Sequence, residues 1–450
     1  MRRCGFLVLL CGWWLLAISQ VEAQAERSGP PAEVGESRLY TVDALRADFT
    51  QFRRLVETEA VNPYRFTDRE PFDRAFDEGY RSIDRPMTLR EFYTRLLPLK
   101  AMIGCGHCHL DYPQEYRKGV QTRRFPLIPV VVEERFFVKK SLSPTPRIPP
   151  FAEILSINGI RIDRILSALR ADISADGHNP HFRDAALESC FQYYHANRYG
   201  TPSDYTIGFR TEGGDGAREI ILPALACDTV PYSTRESSGL GCEILADRGA
   251  AVMRVGSFIY YGDKNRVFFS FLDRGFQRIR REKIDPLIID LRGNGGGDPF
   301  CAARLLSYLE RTPVAYFSQP YGRYAELARP VPRAAQPFTG KVYVLIDGAV
   351  FSTTAHLCAL LHHHDLAVFV GEETGGTYTC NAAVRGFSLE HTRLHVKLST
   401  ATFAAAVSGF PPARGILPDH AVHQTVRDLR RGRDTVLDYT LMLIAGERSR

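Results

Sequence analysis

The sequence predicts an α/β protein with three parts: an N-terminal helical domain, an inserted α+β module and a C-terminal core of alternating strands and helices. Three observations predict this class. Apolar residues fall at helical spacing before residue 100. Short apolar runs between turn residues continue to about residue 225. Strand-like and helix-like segments then alternate to the end of a chain of 450 residues, which is long enough for two or three domains.

The N-terminus has the pattern of a secretory signal peptide. Arg2 and Arg3 precede an apolar run over residues 6–18, and the segment VEA, residues 21–23, supplies small residues at the usual cleavage positions. We expect residues 1–23 to be removed and the mature protein to act outside the cytoplasm, in the periplasm, in the cell envelope or as a secreted protein. The apolar run is too short to span a bilayer comfortably, and no later segment is apolar for long enough, so no stable membrane insertion is expected.

A polar linker over residues 24–37 leads into the helical domain, residues 38–120. A capping-box pattern from Thr88 to Glu91 predicts the start of one helix. Another is predicted by apolar residues at helical spacing, namely Leu45, Phe49, Phe52 and Leu55.

Residues 121–226 form the α+β module, because strand-like runs there are separated by turn signals. The predicted strands are residues 130–132, 136–138, 154–157, 205–209 and 220–222, with a helix over residues 162–169.

Residues 227–450 form the α/β core, in which buried strands alternate with helices. The predicted strands include residues 252–255, 287–291, 342–346, 366–370 and 394–398. The predicted helices include residues 268–282, 302–309, 353–363 and 436–444.

Ser352 stands between a predicted strand and a predicted helix. Its hydroxyl has two candidate roles at such a position. It caps the helix, or it is a nucleophile next to backbone N–H groups that stabilise an oxyanion. The helix also carries His356 one turn later, a candidate base.

A glycine-rich turn follows the strand at residues 287–291, within the segment LIIDLRGNGGGD. A dinucleotide loop would need glycine where Asp298 stands, and the Lys-Ser/Thr pair of a phosphate loop is missing. The turn is either a simple tight turn or a place where backbone N–H groups approach a substrate atom.

The segment GCGHCHL, residues 104–110, has four interpretations. Cys105, Cys108 and His109 match a c-type haem attachment pattern, and the same residues suit a zinc cluster, a redox pair or a turn around one catalytic histidine. The haem pattern occurs once, and no second Cys/His cluster stands at a usual zinc spacing. We therefore expect no cofactor and no metal.

Eight cysteines remain after the signal peptide. Cys105 with Cys108 and Cys227 with Cys242 are candidates for short-range disulfides. The formal net charge of +6 comes from Lys and Arg scattered among acidic residues. Without a basic stripe that contains aromatic residues, nucleic-acid binding is not expected.

Three segments resemble the S41 peptidases: LIIDLRGNGGG, GAVFSTTAHLCALL with LAVFVGEETGG, and RGILPDHAV. The resemblance covers nearly all of the mature chain. It implies a crotonase/ClpP-like catalytic core and a PDZ-like identity for the module over residues 121–226. It also implies a serine-type peptidase with Ser352 as nucleophile.

The resemblance further assigns a branch of the family. One branch of the family uses a Ser-Lys catalytic dyad. This chain has Thr377 at the position of that lysine, and no lysine lies between Lys341 and Lys397. The other branch takes its base from a GDGHT-like motif, which GCGHCHL matches with His107.

The resemblance implies an oxyanion hole formed by the N–H groups of Thr353 and of Gly296 or its neighbour. Residues 411–413 replace the region where relatives carry an orienting glutamate. Asp419 and Glu390 are the candidates for that role here.

The expected function is that of an exported serine endopeptidase that hydrolyses protein or peptide substrates through an acyl-enzyme. The alternative is a protein that binds a peptide or a lipophile on the same fold without turnover. The oligomeric state stays open.

Overall fold

The computed structural model describes residues 35–143, 147–177, 179–214, 216–227 and 239–448. The predicted signal peptide and most of the predicted linker therefore lie outside the described residues. Among the residues that are described, no helix is both long enough and apolar enough to cross a bilayer.

The N-terminal unit is helical, as predicted. Its elements are β1 (Leu39–Tyr40), α1 (Val42–Glu59), α2 (Arg69–Arg81), β2 (Met87–Thr88), α3 (Leu89–Ala101), β3 (His109–Asp111) and α4 (Gln114–Gly119). The four apolar residues predicted for the first helix are all buried. The capping box is confirmed, because Thr88 accepts from the Glu91 N–H while the Glu91 carboxylate accepts from the Thr88 N–H.

The middle unit is an antiparallel sheet with two helices. Its elements are β4 (Arg123–Arg124), β5 (Leu127–Val132), β6 (Arg135–Ser141), β7 (Glu153–Ile157), β8 (Ile160–Arg161), α5 (Ile162–Asp172), α6 (Pro180–Tyr199), β9 (Asp204–Arg210), β10 (Arg218–Pro223) and β11 (Leu225–Ala226). The main strands lie in the order β10-β9-β7-β6-β5, and β8 pairs with β7. Pairing of β4 with β11 brings the two ends of the unit together.

Helix α6 was not predicted from the sequence. Asn179 caps it by accepting from the N–H groups of His181 and Phe182, and Pro180 opens its first turn. The helix is kinked at Cys190, where the backbone leaves helical angles (φ −135°, ψ 32°). Because of that kink the apolar residues do not keep one helical face over the whole segment.

The C-terminal unit is an α/β core, which confirms the predicted fold class. Its elements are β12 (Leu240–Leu245), β13 (Ala250–Val255), α7 (Asn265–Arg281), β14 (Leu287–Asp290), α8 (Pro299–Leu309), β15 (Val342–Ile346), α9 (Thr353–His363), β16 (Val368–Gly371), β17 (Thr379–Ser388), β18 (His395–Ala404), β19 (His420–Ala421), α10 (Val426–Arg430) and α11 (Thr435–Arg448). The central sheet has the order β12-β13-β14-β15-β16-β19 and is parallel from β13 to β19.

The parallel order positions the two predicted catalytic turns. Strands β14 and β15 are neighbours, with Asp290 beside Leu345 at their carboxyl ends. The glycine-rich turn and the turn that carries Ser352 leave those ends side by side. Ligands of parallel sheets bind at this edge.

A second sheet joins the helical unit to the core. Strand β3, which follows His107 directly, pairs with β18, and β18 pairs with β17. The apolar core of the helical unit also contains Leu389 and Leu394 from the turn between β17 and β18. The segment with His107 is therefore held on the same scaffold as the parallel sheet.

Candidate active site

Ser352 stands immediately before α9 in an unusual backbone conformation, with φ 53° and ψ −128°. Its side chain makes no capping hydrogen bond to the first turn of the helix, so the capping role is not observed. A non-glycine residue at these angles carries a strain of about 1–3 kcal/mol, which persists only where the surroundings enforce it. Ser352 is half-exposed, and its side chain interacts with the Cys380 thiol instead of the helix.

The two residues after Ser352 fasten this turn to the glycine-rich turn. The Thr353 hydroxyl donates to the Gly297 carbonyl at 2.7 Å, and the Thr354 hydroxyl donates to Asn294 Oδ1 at 2.8 Å. The Asn294 amide in turn donates to the Val255 carbonyl at 2.9 Å. These buried bonds hold the start of α9 against the carboxyl end of β14.

An ion-pair cluster around Arg292 also holds the glycine-rich turn in place. Arg292 lies 2.7 Å from a carboxylate oxygen of Asp290 and 2.7 Å from one of Asp434. Paired carboxylates raise the pKa of Arg292 still further above its usual range, although burial acts in the opposite direction. The arginine of the DLRGN motif therefore joins β14 to the start of α11.

Gly296 lies directly against Ser352. A methyl group at Gly296 would stand 2.9 Å from Ser352 Cβ and 2.9 Å from the Phe351 carbonyl oxygen, and the glycine has a positive φ of 105°. Both the close approach and the backbone angle therefore require glycine.

The N–H of Gly296 is already used, because it donates to Asn294 Oδ1 at 3.0 Å. The Gly296 carbonyl accepts from the Phe258 N–H. In a trans peptide the carbonyl and the N–H of the next residue point in opposite directions, so the Gly297 N–H points away from Phe258. The Gly297 carbonyl accepts a hydrogen bond from the Thr353 hydroxyl. Among the described residues, neither Gly297 N–H nor Thr353 N–H has a recorded acceptor.

His107 lies against the turn that carries Ser352. Its ring centroid is 4.8 Å from that of Phe351, and Gly106 has no room for a side chain because a methyl group there would stand 2.6 Å from Phe351 Cζ. The residue is half-exposed, but its Nδ1 is buried and has no hydrogen-bond partner in the described chain.

A buried carboxylate that the sequence analysis missed lies beside His107. Asp176, in the loop between α5 and α6, accepts from the Gly106 N–H at 2.9 Å through Oδ1, while Oδ2 is buried without a partner among the described residues. Ligand atoms of Cys105, His107 and Asp176 lie within 4.8 Å of one another. Burial raises the pKa of Asp176 to about 7.

The two carboxylates named from the sequence hold other positions. Asp419 accepts from the Phe369 N–H at 2.7 Å, and the Glu390 side chain is exposed while its N–H donates to Gln51. Neither has a recorded hydrogen bond to His107 within the described residues.

Two other histidines lie near this region: His356, in α9, is buried, and His109, in β3, is half-buried. Both ring nitrogens of His356 lack partners in the described structure, and burial lowers its pKa to about 3. Burial also lowers the pKa of His109, in β3, to about 3. Neutral histidines of this kind are suited to core packing more than to proton transfer at neutral pH.

No disulfide bond joins any of the eight cysteines in the part of the chain that the structure describes. Cys105 and Cys108 are buried and contact the Ser399 hydroxyl at 3.3 and 3.9 Å, so the two thiols of the haem pattern face the sheet interior. Cys380, in β17, lies next to Ser352. Burial raises the pKa of Cys380 well above its usual range, and the Ser352 hydroxyl opposes that effect.

The loop after β16 forms another wall of the site. Glu373 accepts from the Gly415 N–H at 2.8 Å and pairs with Arg414 at 2.6 Å. Asn179, at the start of α6, donates to the Thr374 carbonyl at 2.6 Å. Segments from the middle unit and the core therefore meet beside the predicted nucleophile.

Comparisons with known proteins agree with this architecture. The family model for peptidase family S41 matches residues 251–422. Mature CPAF has 12% identity and a TM-score of 0.65 over 90% of this chain and 97% of its own. Mature CPAF complexed with lactacystin has 13% identity and a TM-score of 0.66 over 90% and 98%.

A protein from Parabacteroides merdae is also similar, with 16% identity and a TM-score of 0.50 over 89% of this chain and 96% of its own. A search of curated proteins finds no match. At these identities the likeness to solved structures shows a shared fold.

The backbone strain at Ser352 predicts a difference between two hydroxyl-free variants. We expect Ser352→Gly to be more stable than Ser352→Ala by about 1 kcal/mol, because glycine adopts the positive φ without steric cost. Denaturant unfolding of both variants measures the difference. Equal free energies of unfolding would show that Ser352 is not strained.

The close approach of Gly296 predicts a second contrast. We expect Gly296→Ala to lower the free energy of unfolding by about 2 kcal/mol or more, because the new methyl group would clash with Ser352 and Phe351. Gly295→Ala is the control, since a methyl group there meets no atom within 4 Å. A loss for Gly296→Ala no larger than for the control would contradict the close approach.

Proposed function

We propose that this chain, a serine-type peptidase whose residues 251–422 belong to peptidase family S41, is an exported endopeptidase that forms an acyl-enzyme on Ser352 with His107 as general base. One observation carries the proposal. The Ser352 hydroxyl makes no capping bond although Ser352 occupies the capping position, and the residue keeps a strained backbone conformation. Strain of this kind concentrates at catalytic positions.

In the first step Ser352 Oγ attacks the carbonyl carbon of a peptide bond, and His107 Nε2 takes the hydroxyl proton. The carbonyl oxygen becomes an oxyanion. We assign its two donors to the N–H groups of Thr353 and Gly297, because the Gly296 N–H donates to Asn294. The N-terminal end of α9 adds a favourable field for negative charge.

In the second step the tetrahedral intermediate collapses and the C–N bond breaks, while His107 returns the proton to the departing amine. A water molecule then gives a proton to His107 and attacks the acyl carbon; when this second tetrahedral intermediate collapses, the C–Oγ bond breaks and His107 returns the proton to Ser352 Oγ. The products are a new carboxyl terminus and free Ser352.

Asp176 is the group that we propose to hold His107 in orientation. Its Oδ2 and the Nδ1 of His107 are both buried and have no hydrogen-bond partner among the described residues, and a ligand atom of each side chain lies within 4.8 Å of the other. A hydrogen bond between these atoms after a small shift would fix the ring with Nε2 towards Ser352. Catalytic hydrogen bonds often shorten only when substrate is bound.

We propose a protein or peptide substrate and an extracytoplasmic location. The location rests on the signal-peptide pattern of residues 1–23. The PDZ-like identity of residues 121–226 is likewise a proposal. Its support is the antiparallel sheet with two helices. Contact between the Phe182 and Phe351 rings, whose centroids lie 4.6 Å apart, brings α6 to the edge of the site.

A fluorophosphonate probe tests the proposal directly, because it reacts covalently only with an activated serine hydroxyl. We expect the wild-type protein to be labelled at one residue, Ser352, and Ser352→Ala to be unlabelled. His107→Gln should retain the fold and lose most of the labelling rate. An unreactive wild-type protein would favour the non-catalytic binding alternative.

The role of Asp176 predicts a loss of rate rather than of binding. We expect Asp176→Asn to lower kcat on a peptide substrate by about 10²-fold, with KM changed much less, because the imidazole loses its orienting carboxylate. Asp163→Asn, an exposed carboxylate of the same unit, is the control. An unchanged kcat in Asp176→Asn would remove Asp176 from the proposed triad.

A further inference from the structure

We infer that Cys105, His107 and Asp176 form a binding site for a zinc-type divalent cation. One candidate ligand atom from each residue lies within 4.8 Å of the other two. A thiolate, an imidazole and a carboxylate are the ligand types that Zn²⁺ takes in proteins. With bonds of about 2.0–2.3 Å, tetrahedral ligand atoms stand about 3.5 Å apart, so a contraction of roughly 1 Å closes the cluster around an ion.

Two residues of the cluster also carry buried polar atoms without a hydrogen-bond partner among the described residues, which is a second, independent indication of a ligand. Asp176 is only 2% exposed, and its Oδ2 has no hydrogen-bond partner among the described residues. The buried Nδ1 of His107 lacks a partner as well. Burial of a polar atom without a partner is costly, and a cation between these atoms supplies a partner to both.

The surroundings orient the cluster as the outer shell of a metal site does. The Gly106 N–H holds Asp176 Oδ1 at 2.9 Å, which leaves Oδ2 for the ion. The Ser399 hydroxyl lies 3.3 Å from Cys105 Sγ and can donate to a thiolate there. Such outer hydrogen bonds fix metal ligands and tune their affinity.

The site is open on the side of the proposed nucleophile. His107 is half-exposed and lies against Phe351, the neighbour of Ser352, so an ion enters from the substrate side. Three protein ligands leave a fourth position for water. Because the ion binds the His107 imidazole, the ring can no longer act as the general base, and the ion inhibits the peptidase. That consequence rests on the proposed role of His107, whereas cation binding does not.

No metal was expected from the sequence, because no second Cys/His cluster stands at a usual zinc spacing from GCGHCHL. The third ligand is an aspartate from the middle unit, and only the fold brings it to Cys105 and His107. The inference uses Cys105 and leaves Cys108 out, since Cys108 does not belong to the cluster. That distinction supplies the control for the experiment.

Titration of the reduced full-length protein with Co²⁺ tests the site without reference to activity. We expect one equivalent of Co²⁺ to bind with visible d–d bands and a near-ultraviolet thiolate charge-transfer band. Cys105→Ser should lose the charge-transfer band, and Cys108→Ser should keep it. Asp176→Asn should keep the band and bind Co²⁺ at least tenfold more weakly. Circular dichroism establishes that each variant is folded.

No stoichiometric Co²⁺ binding by the reduced wild-type protein, or loss of the band in Cys108→Ser rather than in Cys105→Ser, would overturn the inference. The inhibitory consequence has a separate readout. We expect one equivalent of Zn²⁺ to slow fluorophosphonate labelling of Ser352 in the wild type and not in Cys105→Ser. Bound Zn²⁺ that leaves labelling unchanged would refute the inhibition and count against His107 as base, while the binding result stands.

Discussion

The contact between Gly296 and Ser352 is the constraint on which the rest of the site depends. Ser352 keeps an unfavourable backbone conformation at φ 53° because its neighbours allow no alternative. Gly296 fills the space beside its Cβ, and the Thr353 and Thr354 hydroxyls bind the opposite turn. The strain therefore follows from packing between the turns that follow two parallel strands, and it accompanies a hydroxyl that does not cap its own helix.

The remaining groups come from two other units of the chain. His107 belongs to the helical unit, and Asp176 belongs to the middle unit. Their backbones meet through a hydrogen bond from the Gly177 N–H to the Gly104 carbonyl at 3.2 Å. Gly177 is also pressed against Ala413 of the core, where a methyl group would stand 2.6 Å from the carbonyl oxygen. Three units thus converge on one point, and a shift of any one changes the geometry of the site.

Much of this fold could be predicted from the sequence because its strands are apolar runs and its helices have clear caps. The strand at residues 342–346 and the helix at residues 353–363 were predicted with the observed bounds. The kinked helix α6 was missed, since its apolar positions do not share one face. Local patterns were sufficient wherever the hydrogen bonds are local.

Part of the candidate site could not be predicted, because its contacts join residues that are distant in sequence. Asp176 lies in an ordinary loop with no motif, so no pattern linked it to His107. The Gly296 N–H was named as an oxyanion donor, but the side chain of Asn294, two residues earlier, accepts it. Asp419 was named because it lies within the motif RGILPDHAV, yet its carboxylate accepts from the Phe369 N–H in the core. Only three-dimensional distances separate such possibilities.

A neutral imidazole suits both catalysis and cation binding, and His107 lies where both are possible. Asp176 and Cys105 lie beside it and suit different roles. The carboxylate can orient the histidine ring, whereas a thiolate favours binding of a soft cation. The same buried, unpartnered atoms therefore connect the proposed mechanism with the proposed metal site. In both cases the ring needs a partner at its buried nitrogen.

The most direct test of the central claim is a crystal structure of the protein after reaction with a fluorophosphonate. The account predicts phosphorus bonded to Ser352 Oγ and a phosphoryl oxygen about 3 Å from the N–H groups of both Thr353 and Gly297. His107 Nε2 should lie within hydrogen-bond reach of Ser352 Oγ. A phosphoryl oxygen directed into solvent, or an imidazole too far from Oγ for any hydrogen bond, would contradict it.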